Sequence, residues 1–126
     1  MTRINVVPVS ELNRLHLIAE YREITRLPKN LNKSLTRKSK PFSMEEIPLD
    51  YVLGPGHVKF FYDKFGYLKN RFEELVKEMV DRGYSPNHTD SSIFNVQGVY
   101  MNNYIPTAHA MKINRERISE RLRGMR

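Results

Sequence analysis

Seven apolar residues in the middle of the chain recur at alternating intervals of three and four, the strongest periodic pattern in the sequence. The seven are Val58, Phe61, Phe65, Leu68, Phe72, Leu75 and Met79. Such spacing places every one of these side chains on one face of an α-helix. Gly83 follows shortly afterwards and is typical of a helix end. The pattern predicts a long amphipathic helix that packs its apolar face against the rest of the chain.

A second helical pattern lies near the start of the chain. Ser10 is predicted to cap this helix, because a serine oxygen accepts a hydrogen bond from the first free backbone N–H groups. Helical spacing then places five residues on one face, namely Leu12, His16, Ala19, Glu23 and Arg26. Pro28 is expected to end or kink the helix, since proline lacks a backbone N–H.

Two basic segments complete the helical part of the sequence. The first follows Pro28 at roughly helical spacing, on a kinked continuation of the helix or on a loop, and comprises Lys29, Lys33, Arg37 and Lys40. The second follows Thr107, which is predicted to cap a third helix. The inward side of that helix is expected to carry Met111, Ile118, Leu122 and Met125. Its outer side is basic and carries Lys112, Arg115, Arg117, Arg121 and Arg123.

The remaining segments, residues 41–57 and 84–106, are rich in proline, glycine and turn-forming residues. Within the second, residues 93–100 are a candidate short strand, although the alternation of apolar and polar residues is poor. The sequence therefore predicts an all-α fold, a compact single domain over residues 1–126 with three main helices and long irregular connections.

Composition narrows the class of partner. The net charge of +7 favours an anionic partner, and nucleic acid is the first expectation. A membrane surface is the second, but no long apolar run or signal peptide is visible. The chain contains no cysteine, which removes disulfides, thiol catalysis, cysteine-ligated zinc and iron–sulfur clusters. This composition fits a cytoplasmic protein.

The first residues carry a possible reaction centre. Thr2 is small, so the initiator methionine is expected to be removed and the α-amine of Thr2 to become free. Cations such as Arg3, Arg22 and Arg26 would lower the pKa of that amine. A neutral amine beside a carboxylate such as Glu23 can form a Schiff base with a sugar aldehyde carbon.

Several blocks of the sequence resemble one family. They are Thr-Arg-Ile-Asn at 2–5, Val-Ser-Glu-Leu at 9–12, His16, Ala-Glu-Tyr-Arg-Glu at 19–23, Leu-Gly-Pro-Gly-His-Val at 53–58, Phe-Phe-Tyr-Asp-Lys at 60–64, Arg-Gly-Tyr at 82–84 and Asn-Tyr-Ile-Pro at 103–106. In this order they resemble the phage pyrimidine-dimer DNA glycosylases of the T-even phage endonuclease V type. The blocks cover almost the whole chain and are specific together.

The resemblance implies a DNA repair enzyme, a glycosylase and abasic-site lyase acting on ultraviolet-induced cyclobutane pyrimidine dimers in duplex DNA. Two residues match catalytic positions of the family: Thr2, whose main-chain amine is the nucleophile, and Glu23, the catalytic carboxylate. Positions that contact substrate or DNA phosphates are matched by Arg3, His16, Arg22, Arg26, Arg117 and Arg121. The family needs no metal or cofactor, and the expectation is a monomer without an obligate protein partner, acting in the host cytoplasm if phage-encoded.

Each of these residues also has a more ordinary interpretation. Glu23 near Arg26 is typical of a surface salt bridge, and Arg117 with Arg121 is typical of a solvated basic face. His16 and Glu20 form a weak metal-ligand pattern to which His57 and Asp63 are conceivable additions. The alternative functions are a non-catalytic helical DNA-binding module and, third, a metal-dependent nuclease.

Two departures from the family concern substrate preference. Relatives end in a tail rich in Trp, Tyr and Lys, whereas this sequence stops at Arg126 and contains no Trp. Thr25 stands where relatives can carry a helix-kinking proline, a role that Pro28 is expected to take over. The expectation is a stronger preference for abasic DNA than tailed relatives show.

Overall fold

The computed structural model describes residues 4–124. Four α-helices form its frame: α1 (Arg14–Ile24), α2 (Leu27–Thr36), α3 (Phe65–Asp81) and α4 (Ala108–Gly124). Within residues 4–124 there are also five short 3-10 turns, one before α1 and four between α2 and α4, and no strand occurs. The all-α prediction is therefore confirmed. None of the described helices is long and apolar enough to span a membrane.

The start of α1 differs from the prediction. Ser10 lies in a 3-10 turn (Val9–Glu11) and does not cap a helix. Asn13 is the cap instead, and its side-chain oxygen accepts a hydrogen bond from the backbone N–H of His16 at 2.8 Å. Leu12 between them is extended and buried, so the chain first reaches the core and only then turns into the helix. Asparagine satisfies the free N–H groups as well as serine does.

The kink at Pro28 is confirmed. Helix α1 ends at Ile24, and α2 begins at Leu27 with Pro28 in its first turn. A proline costs nothing there, because the first N–H groups of a helix have no partner in any case. Lys29 and Lys33 consequently lie on a continued helix, whereas Arg37 and Lys40 lie beyond its end.

Helix α3 buries the predicted stripe. Its apolar face consists of Phe65, Leu68, Phe72, Leu75 and Met79, all of them buried. The helix starts later than predicted, since the preceding residues form a separate 3-10 turn (Lys59–Phe61).

The end of α3 requires a glycine. Gly83 has a φ of 89° and donates to the carbonyl of Val80 at 2.9 Å, while the N–H of Tyr84 donates to the carbonyl of Met79 at 2.8 Å. This pair of bonds is the Schellman ending, whose left-handed residue is usually glycine. The predicted helix stop is confirmed.

The candidate strand at residues 93–100 is wrong. Two 3-10 turns, Ser91–Phe94 and Gly98–Tyr100, occupy this segment. The carboxylate of Asp90 accepts from the N–H of Ser92 at 2.9 Å. Such a local side-chain cap offers the backbone an alternative to a strand ladder.

Helix α4 begins as predicted but presents a different face. The Thr107 hydroxyl accepts from the N–H of Ala110 at 2.9 Å, which confirms the cap. The buried residues of the helix are Ala110 and Asn114. Met111 and Ile118 are partly buried against the core, whereas Leu122, predicted inward, is 40% exposed. The buried amide of Asn114 decides which side of α4 faces the protein, and Met125 lies outside the described residues.

One aromatic-rich cluster joins the helices. Its largest fully buried members are Phe60, Phe61, Phe65, Phe72 and Phe94. Helix α1 packs on α3 through stacked rings of Tyr21 and Phe72, 6.0 Å between centroids. Burial is thus confirmed for Phe61, Phe65 and Phe72, which the apolar periodicity predicted to face the rest of the chain.

Candidate active site

The site is built around a buried N-terminal segment, residues 4–7, all four of which are buried. The N–H of Ile4 donates to Nε2 of His57 at 2.8 Å, and the hydroxyl of Tyr51 donates to the Ile4 carbonyl at 2.9 Å. Because Nε2 accepts, the ring proton lies on Nδ1, which faces the carbonyl of Val52 at 2.7 Å. His57 thus holds the segment as a neutral imidazole.

The next residues of the segment are held by α3 and α4. The side-chain oxygen of Asn114 accepts from the N–H groups of Val6 at 2.7 Å and Val7 at 3.2 Å. The Tyr67 hydroxyl donates to the carbonyl of Asn5 at 3.4 Å. Side chains from distant parts of the chain therefore replace the backbone partners that a helix or sheet would supply.

A buried ion pair lies beneath this segment. Glu20 of α1 and Arg71 of α3 have side chains only 0% and 4% exposed, and two guanidinium nitrogens meet the two carboxylate oxygens at 2.7 and 2.9 Å. Arg71 also donates to the carbonyl of Val7, and the amide of Asn5 donates to Glu20 at 2.9 Å. Burial disfavours the guanidinium charge, but the attraction of Glu20 outweighs it and raises the pKa of Arg71. Glu20 and Arg71, together with the amide of Asn5 and the carbonyl of Val7, form one closed polar cluster.

These contacts remove the metal-ligand interpretation of Glu20. The carboxylate points into the core toward Arg71, away from any shared site with His16. His57 binds Ile4 and Val52, and Asp63 pairs with Lys64 at 2.8 Å. Three of the suggested ligands, Glu20, His57 and Asp63, are thus engaged separately in structural contacts.

The other face of α1 carries the predicted catalytic carboxylate. The Glu23 side chain is 13% exposed, and Nη1 of Arg26 lies 3.5 Å from its Oε2. Arg26 itself is 68% exposed, and Arg22 is also exposed. An exposed ion pair of this length contributes little to stability. Glu23 is therefore a sheltered carboxylate beside Arg26, and the side chains of Arg22 and Arg26 both remain accessible to an external anion.

His16 and Arg121 are brought together from opposite ends of the described chain. Burial lowers the pKa of His16, and the positive charge of Arg121 lowers it further. Both ring nitrogens are shielded from solvent and have no hydrogen-bond partner among residues 4–124. A neutral imidazole in this position has one donor and one acceptor to offer a polar group brought by a substrate.

Helix α4 contributes a basic surface next to α1. Arg115 forms a two-bond ion pair with Glu11, at 3.0 and 2.8 Å, which ties the helix to the chain before α1. Arg117 is half-buried and lies 3.9 Å from Glu120, while Arg121 is exposed. Both predicted phosphate-contacting arginines are thus present at this surface.

Thr2 and Arg3 lie outside the described residues.

The polar cluster under the N-terminal segment was not predicted from the sequence. A signal existed, because Asn5 stands among Ile4, Val6 and Val7, and Arg71 interrupts the apolar face of α3 next to Phe72. A polar residue inside an apolar stripe indicates a buried partner. Nothing in the sequence pairs Asn5 with a residue as distant as Asn114.

A comparison with protein-family models gives one match. The model described as pyrimidine dimer DNA glycosylase matches residues 1–92. The match contains the N-terminal segment, α1, α2 and α3, and it ends before α4.

Proposed function

The chain belongs to the pyrimidine dimer DNA glycosylase family, and from this premise we propose that the α-amine of Thr2 is the nucleophile of a glycosylase and abasic-site lyase. The proposal rests on one structural observation. Six backbone groups of residues 4–7 are hydrogen-bonded to buried side chains. A segment held this firmly is suited to presenting a main-chain group, because orientation of a reacting group is worth several kcal/mol.

The proposed reaction begins at C1′ of the damaged nucleotide. The neutral amine attacks C1′, the glycosidic bond breaks, and the pyrimidine leaves with the bonding electron pair and gains a proton. The bound amine loses a proton, and its lone pair then forms the C=N bond as the C1′–O4′ bond breaks. O4′ keeps the electron pair of that bond and gains a proton, and a protonated imine joins Thr2 to C1′. A C1′ imine makes the C2′ protons acidic, which is the purpose of covalent catalysis by an amine.

Glu23 is proposed to act twice in this sequence. Its carboxylate stabilises the cationic imine and then accepts a proton from C2′. The electrons left on C2′ form a C2′–C3′ double bond and expel the 3′ phosphate, which cuts the strand. Water finally hydrolyses the imine and frees the amine. Its sheltered position beside Arg26 supports this role, since a carboxylate partly removed from water interacts more strongly with a nearby cation.

The arginines are proposed to hold the DNA backbone. Arg22 lies exposed on α1, Arg26 lies exposed between α1 and α2, and Arg117 and Arg121 lie on α4. Guanidinium groups bind phosphate oxygens in a fork geometry. Arg3 is assigned the same role from its matching position in the family. His16, whose ring nitrogens are shielded and have no hydrogen-bond partner in the described part of the chain, is proposed to orient the sugar or a phosphate.

A borohydride trap tests the proposal. Incubation with duplex DNA containing one abasic site or one pyrimidine dimer, in the presence of borohydride, should reduce the imine to a stable amine. Mass spectrometry of the digested adduct should place the DNA on the amine of Thr2. The matched control carries one additional residue before Thr2, with the Met-removal site preserved, and should trap much more slowly.

Two results would count against the mechanism. An adduct on a lysine would move the nucleophile elsewhere. Binding to damaged duplex with no adduct and no cleavage would favour a non-catalytic DNA-binding module.

A further inference from the structure

Asn114 is the buried polar residue of α4, with a side chain fully removed from solvent. It lies in the middle of a helix whose outer surface is basic, and outside residues 1–92, the part that the family model matches. Its side chain points at the N-terminal segment. Its Oδ1 accepts two backbone N–H groups, those of Val6 and Val7, at 2.7 and 3.2 Å.

The other half of the amide extends the contact. Nδ2 of Asn114 donates to Oδ1 of Asn5 at 2.8 Å, and Nδ2 of Asn5 donates to Glu20 at 2.9 Å. Arg71 donates one hydrogen bond to Glu20 and another to the carbonyl of Val7. The bonds form a closed circuit through α4, the N-terminal segment, α1 and α3. The orientation of the Asn114 amide is fixed, because the backbone N–H groups of Val6 and Val7 can only donate. The atom that they face must therefore be Oδ1, and Nδ2 must face Asn5.

Asn114 therefore joins the two parts of the proposed site. The N-terminal segment leads back to Thr2, and α4 continues by one turn to Ile118 and on to Arg121. Arg121 is close enough to His16 for its charge to act on the imidazole. A rotation or slide of α4 would move the phosphate-binding side chains relative to the amine. An apolar residue would fill the same space without fixing that relation, since apolar packing has no direction.

We propose that Asn114 is a positioning residue for strand cleavage, which sets the register between the nucleophile-bearing segment and the phosphate-binding helix α4. The inference rests on the proposed function, because the register matters only if Thr2 attacks DNA held by α4. It predicts that the rate of the chemical step falls even when all of the DNA is bound to enzyme. General destabilisation would not produce that loss in a folded enzyme.

The first test compares Asn114→Leu with Phe94→Leu. Leucine has the same number and branching of side-chain heavy atoms as asparagine, but it leaves the N–H groups of Val6 and Val7 and the Oδ1 of Asn5 without these hydrogen bonds. Phe94 is fully buried against Phe65 and Phe72 and belongs to no part of the site, so its variant serves as a control for lost stability. Single-turnover imine trapping on abasic DNA is measured at saturating enzyme and well below both unfolding midpoints.

Asn114→Leu should slow trapping by about 100-fold, the typical effect of a displacement of about 1 Å at a reacting group. Its affinity for undamaged duplex should change less than about threefold, because Arg117 and Arg121 remain. Phe94→Leu should trap within about twofold of the original protein. Equal trapping rates for the two folded variants would overturn the inference.

If Asn114→Leu does not fold, Asn114→Asp provides the test of the positioning role. The introduced carboxylate still accepts from Val6 and Val7 but cannot donate to Asn5. Burial raises the pKa of a carboxylic acid, and the facing charges of Glu20 and Arg71 largely offset each other. At lower pH the carboxyl becomes protonated and regains a donor, so the trapping rate relative to the original protein should rise as pH falls. If Asn114→Asp traps DNA at the same rate as the original protein at every pH, the positioning role is refuted.

Adduct formation by the unsubstituted protein distinguishes a failure of this inference from a failure of the proposed function. If it forms no adduct on Thr2, the proposed function fails before Asn114 is tested. If it forms the adduct and the Asn114 variants trap normally, only the positioning role fails.

Discussion

Replacing Glu20 by glutamine tests how strongly the buried ion pair holds the site together. The change keeps the volume and one acceptor for Asn5. It places an amide N–H₂ against the Nε–H of Arg71, where a carboxylate oxygen now accepts at 2.7 Å. It also leaves the guanidinium charge of Arg71 without a counter-charge in a site only 4% exposed. We therefore expect a large loss of stability.

The magnitude follows from the burial of both partners. Breaking a buried pair by removing one charge typically costs about 3–5 kcal/mol. The total stability of a domain is about 5–15 kcal/mol, so this is a substantial fraction. For a small protein with a urea dependence of about 1–3 kcal/mol per molar, the unfolding midpoint should fall by about 2 M.

Equilibrium urea unfolding, followed by helical circular dichroism, measures this effect. Asp81→Asn is the matched control, since it breaks the exposed pair with Lys77 and should leave the midpoint nearly unchanged. The double variant Glu20→Gln with Arg71→Met removes the buried charge altogether and should be more stable than Glu20→Gln alone. A loss below about 1 kcal/mol for Glu20→Gln, or simple additivity in the double variant, would refute the reasoning.

Three further predictions concern the candidate site. Glu23→Gln should keep the fold and DNA binding but slow cleavage of abasic DNA by about 10²–10⁴-fold, and near-normal single-turnover rates would remove Glu23 from the mechanism. Arg117→Ala and Arg121→Ala should each weaken binding to damaged and undamaged duplex alike and flatten the log–log salt dependence by about 0.9, and an unchanged slope would mark them as solvated surface. The pKa of His16 is lowered in the folded protein, so the folded state binds fewer protons and loses stability as pH falls below the ordinary value of 6.5. Arg121→Ala should raise the pKa of His16 in an NMR titration, and an unchanged value would contradict the proximity of the two side chains.

Local patterns in the sequence located the helices but not always their ends. The apolar periodicity of α3 found the buried face from Phe65 to Met79, because a long helix repeats its pattern many times. The start of α1 was missed because Ser10 and Asn13 are equally good caps, and only the burial of Leu12 decides between them. The strand predicted at residues 93–100 failed because the carboxylate of Asp90 caps a 3-10 turn, a local contact that apolar alternation does not report.

The candidate site was predicted mainly through the family resemblance. Glu23 and Arg26 are three residues apart along the chain, so their spacing alone predicts their proximity. His16 and Arg121 are brought together only by tertiary packing, and no periodicity relates them. The same holds for Asn114, which the apolar interpretation of α4 passed over in favour of Leu122. A single sequence can mark a polar residue inside an apolar stripe as buried, but it does not show which distant residue is its hydrogen-bond partner.

The way in which residues 4–7 are held has a consequence for the order of folding. The hydrogen bonds of their backbone groups to side chains join positions from 47 to 108 residues apart along the chain. Contacts over such separations form late, since each closes a long loop at a cost in entropy. Residues 4–7 can therefore complete these bonds only after α4, which carries Asn114, has formed and packed. A shortened chain that ended before α4 would leave the N–H groups of Val6 and Val7 without this acceptor.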